Sequence, residues 1–167
     1  MAKLNHMKDN FIIRKADIKD LKDILELNYK LFRREYKEFD KSLNLNWTHS
    51  KEGKKYFRDR IIKKDGFVKV VEYKRRIIGY LCGGISERLF YRKKAKYAEI
   101  DNMLIEKKFR GRNLGTKLTR DFISWCKENK IDYISVTGFA KNKLALNFYK
   151  RFGFKEYNLT LELKPRK

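Results

Sequence analysis

Residues 97–129 constrain this chain most. A β-like run, "YAEIDNMLI" (97–105), passes through "EKKFRGRNLG" (106–115) into a long amphipathic stretch, "TKLTRDFISWCKEN" (116–129). A strand that feeds a helix through such a loop makes an anion-friendly junction. Backbone N–H groups at a helix start lack intrahelical partners and carry partial positive charge. Gly111 and Gly115 remove the Cβ atoms that would hold an anion off those amides. Arg110 and Arg112 add cationic donors with fork geometry. A pyrophosphate fits this description. Two other phosphate loops do not: a P-loop needs four residues between its glycines and then Lys-Ser/Thr, whereas "GRNLGTKL" has three and then Thr-Lys. The dinucleotide pattern G-x-G-x-x-G is absent as well.

The rest of the chain supplies a sheet around that unit. Alternation predicts strands at 11–15, 67–73, 77–86, 97–105, 132–138 and 154–163. A helix is expected over 16–36, capped by Asp17, with Ile18, Leu21, Ile24, Leu25 and Leu31 along one face. After an irregular connection (37–49), Ser50 is expected to cap a second helix reaching Lys64. Leu114, Leu118, Phe122, Trp125 and Cys126 form the apolar stripe of the third. A last helix is predicted over 142–152, ended by Gly153 in the left-handed C-cap position. One proline and nine glycines leave no linker or repeat. The order β-α-α-β-β-β-α-β-α-β describes one α/β domain over 11–164, with helices on both faces of its sheet. The first ten residues are expected to be a flexible segment.

Composition excludes several classes. With 42% apolar and 14% aromatic residues, the 167-residue chain has enough to bury a core despite 38% charge. No run approaches the roughly 18 apolar residues of a membrane span. The start, "MAKLNHMKDN", has no apolar signal region, and a cytoplasmic location is expected. Cys82 and Cys126, in apolar stretches, read as small core residues, and two cysteines with two histidines give no spaced metal cluster. The net charge of +22 would attract a polyanion, but its lysines are spread along the chain as on a solvated surface.

A second constellation lies downstream, in "NKLALNFYKRFGF" (142–154). Asn142 and Tyr149 are seven residues apart, two helical turns, and so share a face. Ala145 between them is small enough for a ligand to lie close. Asn142 suits a helix cap and can also bond a ligand.

Taken together, these residues resemble the GNAT superfamily of acetyl-CoA-dependent N-acetyltransferases, over the whole chain and most sharply from Glu99 to Phe154. The family loop (Gln/Arg)-x-x-Gly-x-(Gly/Ala) corresponds to Arg110-Gly111-Arg112-Asn113-Leu114-Gly115, with Asn113 where glycine is usual. Asparagine tolerates the left-handed region better than other non-glycine residues, so the loop is expected to form. The pattern Asn-x-x-Ala-x-x-Phe-Tyr-x-x-x-Gly-Phe matches 142–154 in full.

The resemblance implies a mixed, mostly antiparallel sheet, splayed where acetyl-CoA binds. Met103, Leu104 and Ile105 would hold the pantetheine and acyl group, their amides polarising the thioester carbonyl. Residues 110–116, ending at Thr116, would cradle the diphosphate, with Asn142, Ala145 and Tyr149 also against the cofactor. Direct attack needs a neutral amine and hence a base. Glu99 stands at the family's glutamate position and Asp101 two residues on, on the same strand face; either remains open as the base. Tyr149 resembles the general acid that protonates the departing thiolate. No metal is implied.

The acceptor, a primary amine on a small molecule or protein, would bind over 32–50, with Phe32, Tyr36, Phe39 and Trp47, and over 86–99. The positive field disfavours polyamines. Two alternatives remain: a non-catalytic acyl-CoA-binding module, which would need neither Glu99, Asp101 nor Tyr149, and a nucleic-acid-binding protein on a degenerate acetyltransferase fold. The latter ranks last, since no aromatic-basic RNA signature is present. A homodimer is compatible with the sequence.

Overall fold

The computed structural model describes residues 10–87 and 92–165. The expected flexible segment therefore lies almost wholly outside the described residues, as do four residues of the 86–99 stretch. The chain divides into two compact units, Met1–Thr137 and Gly138–Lys167.

The first unit is a five-stranded sheet in the order β1 (Ile12–Lys15), β2 (Gly66–Tyr73), β3 (Arg76–Ser86), β4 (Tyr97–Ile105) and β5 (Tyr133–Val136). The first four pair antiparallel and β5 joins β4 in parallel, which gives the mixed sheet expected. β2 and β3 meet across Lys74 and Arg75, both at positive φ (50° and 62°). A two-residue hairpin demands that twist even of residues that rarely adopt it. β3 is buried at eight consecutive positions, Ile77–Gly84, because helices cover both faces of the sheet.

Asp17 accepts from Lys19 N while Asp20 accepts from Asp17 N. This reciprocal cap starts a short 3-10 turn at Ile18, which leads into α1 (Leu21–Glu38). Ser50 Oγ accepts from Gly53 N and caps α2 (Lys51–Ile62), as expected. Ile24, Leu25 and Leu27 of α1 and Phe57 and Ile61 of α2 pack on Val68, Val70, Tyr80, Cys82 and Leu104. On the other face α3 (Leu114–Glu128) buries Leu114, Leu118, Phe122 and Cys126. The ring of Phe122 meets Phe67 edge-on at 5.2 Å. Both cysteines are buried, as their apolar settings suggested.

The second unit contains α4 (Lys143–Lys150) and, at its end, Gly153 with φ 93°. The expected strand at 154–163 does not form: those residues join no ladder. Leu159, Leu161 and Leu163 are 77–86% exposed. Alternation gives a segment two faces but not a partner, and strands exist only in hydrogen-bonded pairs.

Glu35 sits on the inward stripe of α1, seven residues after fully buried Asn28. Burial pushes its carboxyl up to about 7, while the charge of Arg34 pulls the other way. The folded state therefore holds this proton more tightly than the unfolded chain. Stability contributed through Glu35 falls as pH rises from about 4.5 to about 7. Glu35→Gln is expected to raise the urea midpoint at pH 8 and leave it nearly unchanged at pH 4.5. Equal shifts at both pH values would contradict this.

Candidate functional site

The site is built where β4 leaves β5. The β4–β5 ladder ends at Ile100 opposite Val136, whereas the β3–β4 ladder runs on to Ile105. Register fixes a bulge at the same point. Gly83 faces Ile100 and Cys82 faces Asn102, so Asp101 is the extra residue. Beyond it Met103, Leu104 and Ile105 keep one ladder only. Met103 turns toward α3, where Thr119 Oγ1 is 3.9 Å from its sulfur, and Leu104 joins the core under α1 and α2.

The strand delivers the chain to the Gly/Arg loop. Arg110 Nε donates to Ile105 O at 2.9 Å. Gly111 (φ 76°) and Asn113 (φ 58°) both adopt the left-handed region, as the reading of Asn113 anticipated. Alternating left-handed residues turn successive N–H groups toward one concavity. The start of α3, like that of α1, carries no side-chain cap, and unlike α1 it also lacks an acidic residue in its first turn. Asp17, Ser50 and Asn142 each cap a helix start with a side chain, whereas Asn113 makes no such bond and the first turn of α3 holds no acidic residue. The amides of Leu114, Gly115 and Thr116 thus carry the helix's positive end without a side-chain counterpart.

A cleft of about 400 Å³ adjoins this loop, lined by Lys30, Arg34, Leu104, Glu106, Lys107, Lys108 and Arg110. Lys30 (2.7 Å) and Arg76 both pair with Glu106, and Glu38 pairs with Arg34 at 3.0 Å. Burial, and then the charge of Arg34, hold the Arg110 guanidinium below its ordinary value. An anion would relieve that repulsion. Arg112 lies 5.4 Å over the ring of Phe11.

The two candidate carboxylates have different surroundings. Glu99, half-buried, accepts from Thr137 Oγ1 at 3.2 Å. Asp101 turns to α2: Tyr56 Oη donates to it, and Arg60 Nε stands 2.9 Å from Oδ2. Burial raises Asp101 despite both partners, and raises the Tyr56 phenol as well. Sequence reasoning singled out neither Tyr56 nor Arg60 as a site residue. Their spacing, i and i+4 on a helix face otherwise buried through Phe57 and Ile61, was the available signal.

In the second unit, Asn142 Oδ1 accepts from Ala145 N at 3.2 Å and caps α4. Tyr149 lies two turns on, edge-on to Phe148 and Phe154 at 5.1 and 5.7 Å, and burial raises its phenol. Among the aromatics expected over the acceptor, Phe32 and Trp47 stack at 5.7 Å, and Trp47 also meets Tyr56. Tyr36 receives Lys41 at 4.8 Å. No described helix is long and apolar enough to cross a membrane.

Comparison with known proteins follows this geometry. The sequence model of the Acetyltransferase (GNAT) family matches residues 25–154. An uncharacterized N-acetyltransferase of Methanocaldococcus jannaschii is 31% identical over 151 residues, which cover 87% of this chain and 61% of that protein. A predicted acetyltransferase from Clostridium acetobutylicum, solved with acetyl-CoA, superposes with a TM-score of 0.75 at 23% identity, covering 93% of this chain and 96% of that one. An aminoglycoside N-acetyltransferase in complex with CoA superposes with a TM-score of 0.72 at 11% identity, covering 95% and 96%. These last two likenesses concern the fold.

Proposed function

We infer that this chain, which belongs to the GNAT acetyltransferase family, moves the acetyl group of acetyl-CoA to a primary amine by direct attack within a ternary complex. One observation carries the reading: the strand edge freed beyond Ile100 runs continuously into a helix start that no side chain caps. An extended pantetheine arm suits the first part and a diphosphate the second. Acetyl-CoA supplies the activated acyl group. The relatives' CoA complexes support that choice of co-substrate.

The residues then divide the work. Amides of Met103, Leu104 and Ile105 hold the thioester and stabilise negative charge on its oxygen. Residues 110–116, with the basic cleft, hold the phosphates. Glu99 removes a proton from the amine nitrogen, whose lone pair forms the new C–N bond as the C–S bond breaks. Tyr149 returns a proton to the sulfur as it departs. Asn142 and Ala145 serve cofactor binding from α4. Phe32, Tyr36, Phe39 and Trp47 belong to the acceptor side, and a cytoplasmic setting suits the co-substrate.

Two measurements test this. Calorimetry is expected to give micromolar affinity for CoA, weakened about tenfold by Arg110→Ala, which removes a charged donor. Thiol release from acetyl-CoA with a panel of amines is expected to fall about 10–100-fold in kcat for Tyr149→Phe, with CoA affinity unchanged. No heat with CoA at millimolar concentration overturns the reading. Binding without thiol release across the panel would leave an acyl-CoA-binding module.

A further inference from the structure

Asn102 Oδ1 is buried without a hydrogen-bond partner. A buried amide oxygen left unbonded weakens a fold unless something that arrives later bonds it. Its position says what could arrive. Leu104, two residues on, packs in the core under α1 and α2, so alternation puts Asn102 on that face, while Met103 between them turns to α3. Cys82 stands opposite Asn102 on β3, with its sulfur 3.9 Å from Tyr56 Oη. The nearby donors are committed elsewhere: Tyr56 Oη and Arg60 both bond Asp101. Asn102 also lies two residues past the end of the β4–β5 ladder, one residue before the amides assigned to the thioester.

We propose that Asn102 Oδ1 accepts an N–H bond from the acceptor amine during attack and thereby selects primary over secondary amines; this rests on the acetyl-transfer reading above. A neutral primary amine brings two N–H groups. The base takes one proton and the other points to Asn102. A secondary amine brings one, which the base takes, and the oxygen stays unbonded. Asn102 is a specificity-determining residue here, and its orphaned oxygen in the ligand-free fold is the cost of that role.

The test uses benzylamine and N-methylbenzylamine with the full chain. Asn102→Leu keeps the side-chain branching and removes the acceptor. Wild type is expected to favour benzylamine in kcat/KM. The variant loses about tenfold on benzylamine, the effect of one hydrogen bond, and changes less than twofold on the N-methyl compound. Acetyl-CoA affinity stays constant, and the Tm stays level or rises by roughly 2–4 °C because the orphan is gone. Asn102→Ala is the second variant and should show the same collapse of the ratio. An unchanged ratio, with or without a lower Tm, overturns the proposal. Weakened acetyl-CoA affinity also overturns it, because the oxygen would then serve the pantetheine amide. A wild type that binds acetyl-CoA but acetylates neither amine overturns the transfer reading itself, before any variant is compared.

Discussion

Glu99→Gln lowers kcat for acetyl transfer by about 10²–10⁴-fold at neutral pH, the usual contribution of a positioned base. Glutamine keeps the shape and still accepts from Thr137 Oγ1, so the strand and its register survive the change. CoA affinity is expected to stay constant. The loss should shrink as pH rises toward roughly 10, where an alkylamine in solution loses its proton unaided. Steady-state rates across pH 6–10 measure both features. A pH-independent loss, or weakened CoA binding, would mean that Glu99 supports structure and not proton transfer.

Asp101 provides the contrast. Its carboxylate is already engaged by Tyr56 and Arg60, and its removal would expose those partners before it touched any amine. Burial raises Asp101, yet both of its oxygens are already engaged from α2. Glu99, bonded once through Thr137, keeps acceptor capacity. That difference in hydrogen bonding supports the proposal of Glu99 as the base.

Local chemistry made much of the molecule legible. Asp17, Ser50 and Asn142 were readable as caps because each precedes an apolar-periodic run. Asn113 was readable as left-handed because only a few residue types tolerate that region. The strands expected at 67–73 and 77–86 placed a hairpin across Lys74–Arg76, one residue longer than the observed turn at Lys74-Arg75, and neither of those two residues advertises a positive φ. The bulge at Asp101 was not legible, since an extra residue in one strand is defined by its partner's register. The Tyr56–Asp101–Arg60 cluster stayed hidden because it joins residues 41 and 45 positions apart. The strand expected at 154–163 had the right alternation and lacked the neighbour that would pair with it.

Arg60→Met destabilises the fold by roughly 3–5 kcal/mol, the usual result when one partner of a buried ion pair is removed. Methionine replaces the apolar stem, so the loss reports the guanidinium. That group holds the sheet at three points: Asp101 Oδ2 at 2.9 Å, Asp101 Oδ1 at 3.3 Å and Ile85 O at 3.1 Å. Side-chain exposures of 18% and 13% leave the pair partly buried, where water screens the missing charge less than at the surface. Gly84 is built around it, because a Cβ there would lie 2.3 Å from an Arg60 nitrogen. Without Arg60, Asp101 keeps only the Tyr56 bond, and its pKa climbs further above the unfolded value. The penalty should then shrink as pH falls and the carboxyl takes up its proton. Asp101→Asn in the Arg60→Met background removes the stranded charge and is expected to recover part of the loss, with a coupling energy above about 1 kcal/mol in the double-mutant cycle. Urea denaturation of the four proteins at pH 5 and pH 8 measures both effects. Additive losses, or a penalty that grows at pH 5, would show that the pair does not act as the clamp on the bulge that positions the thioester edge.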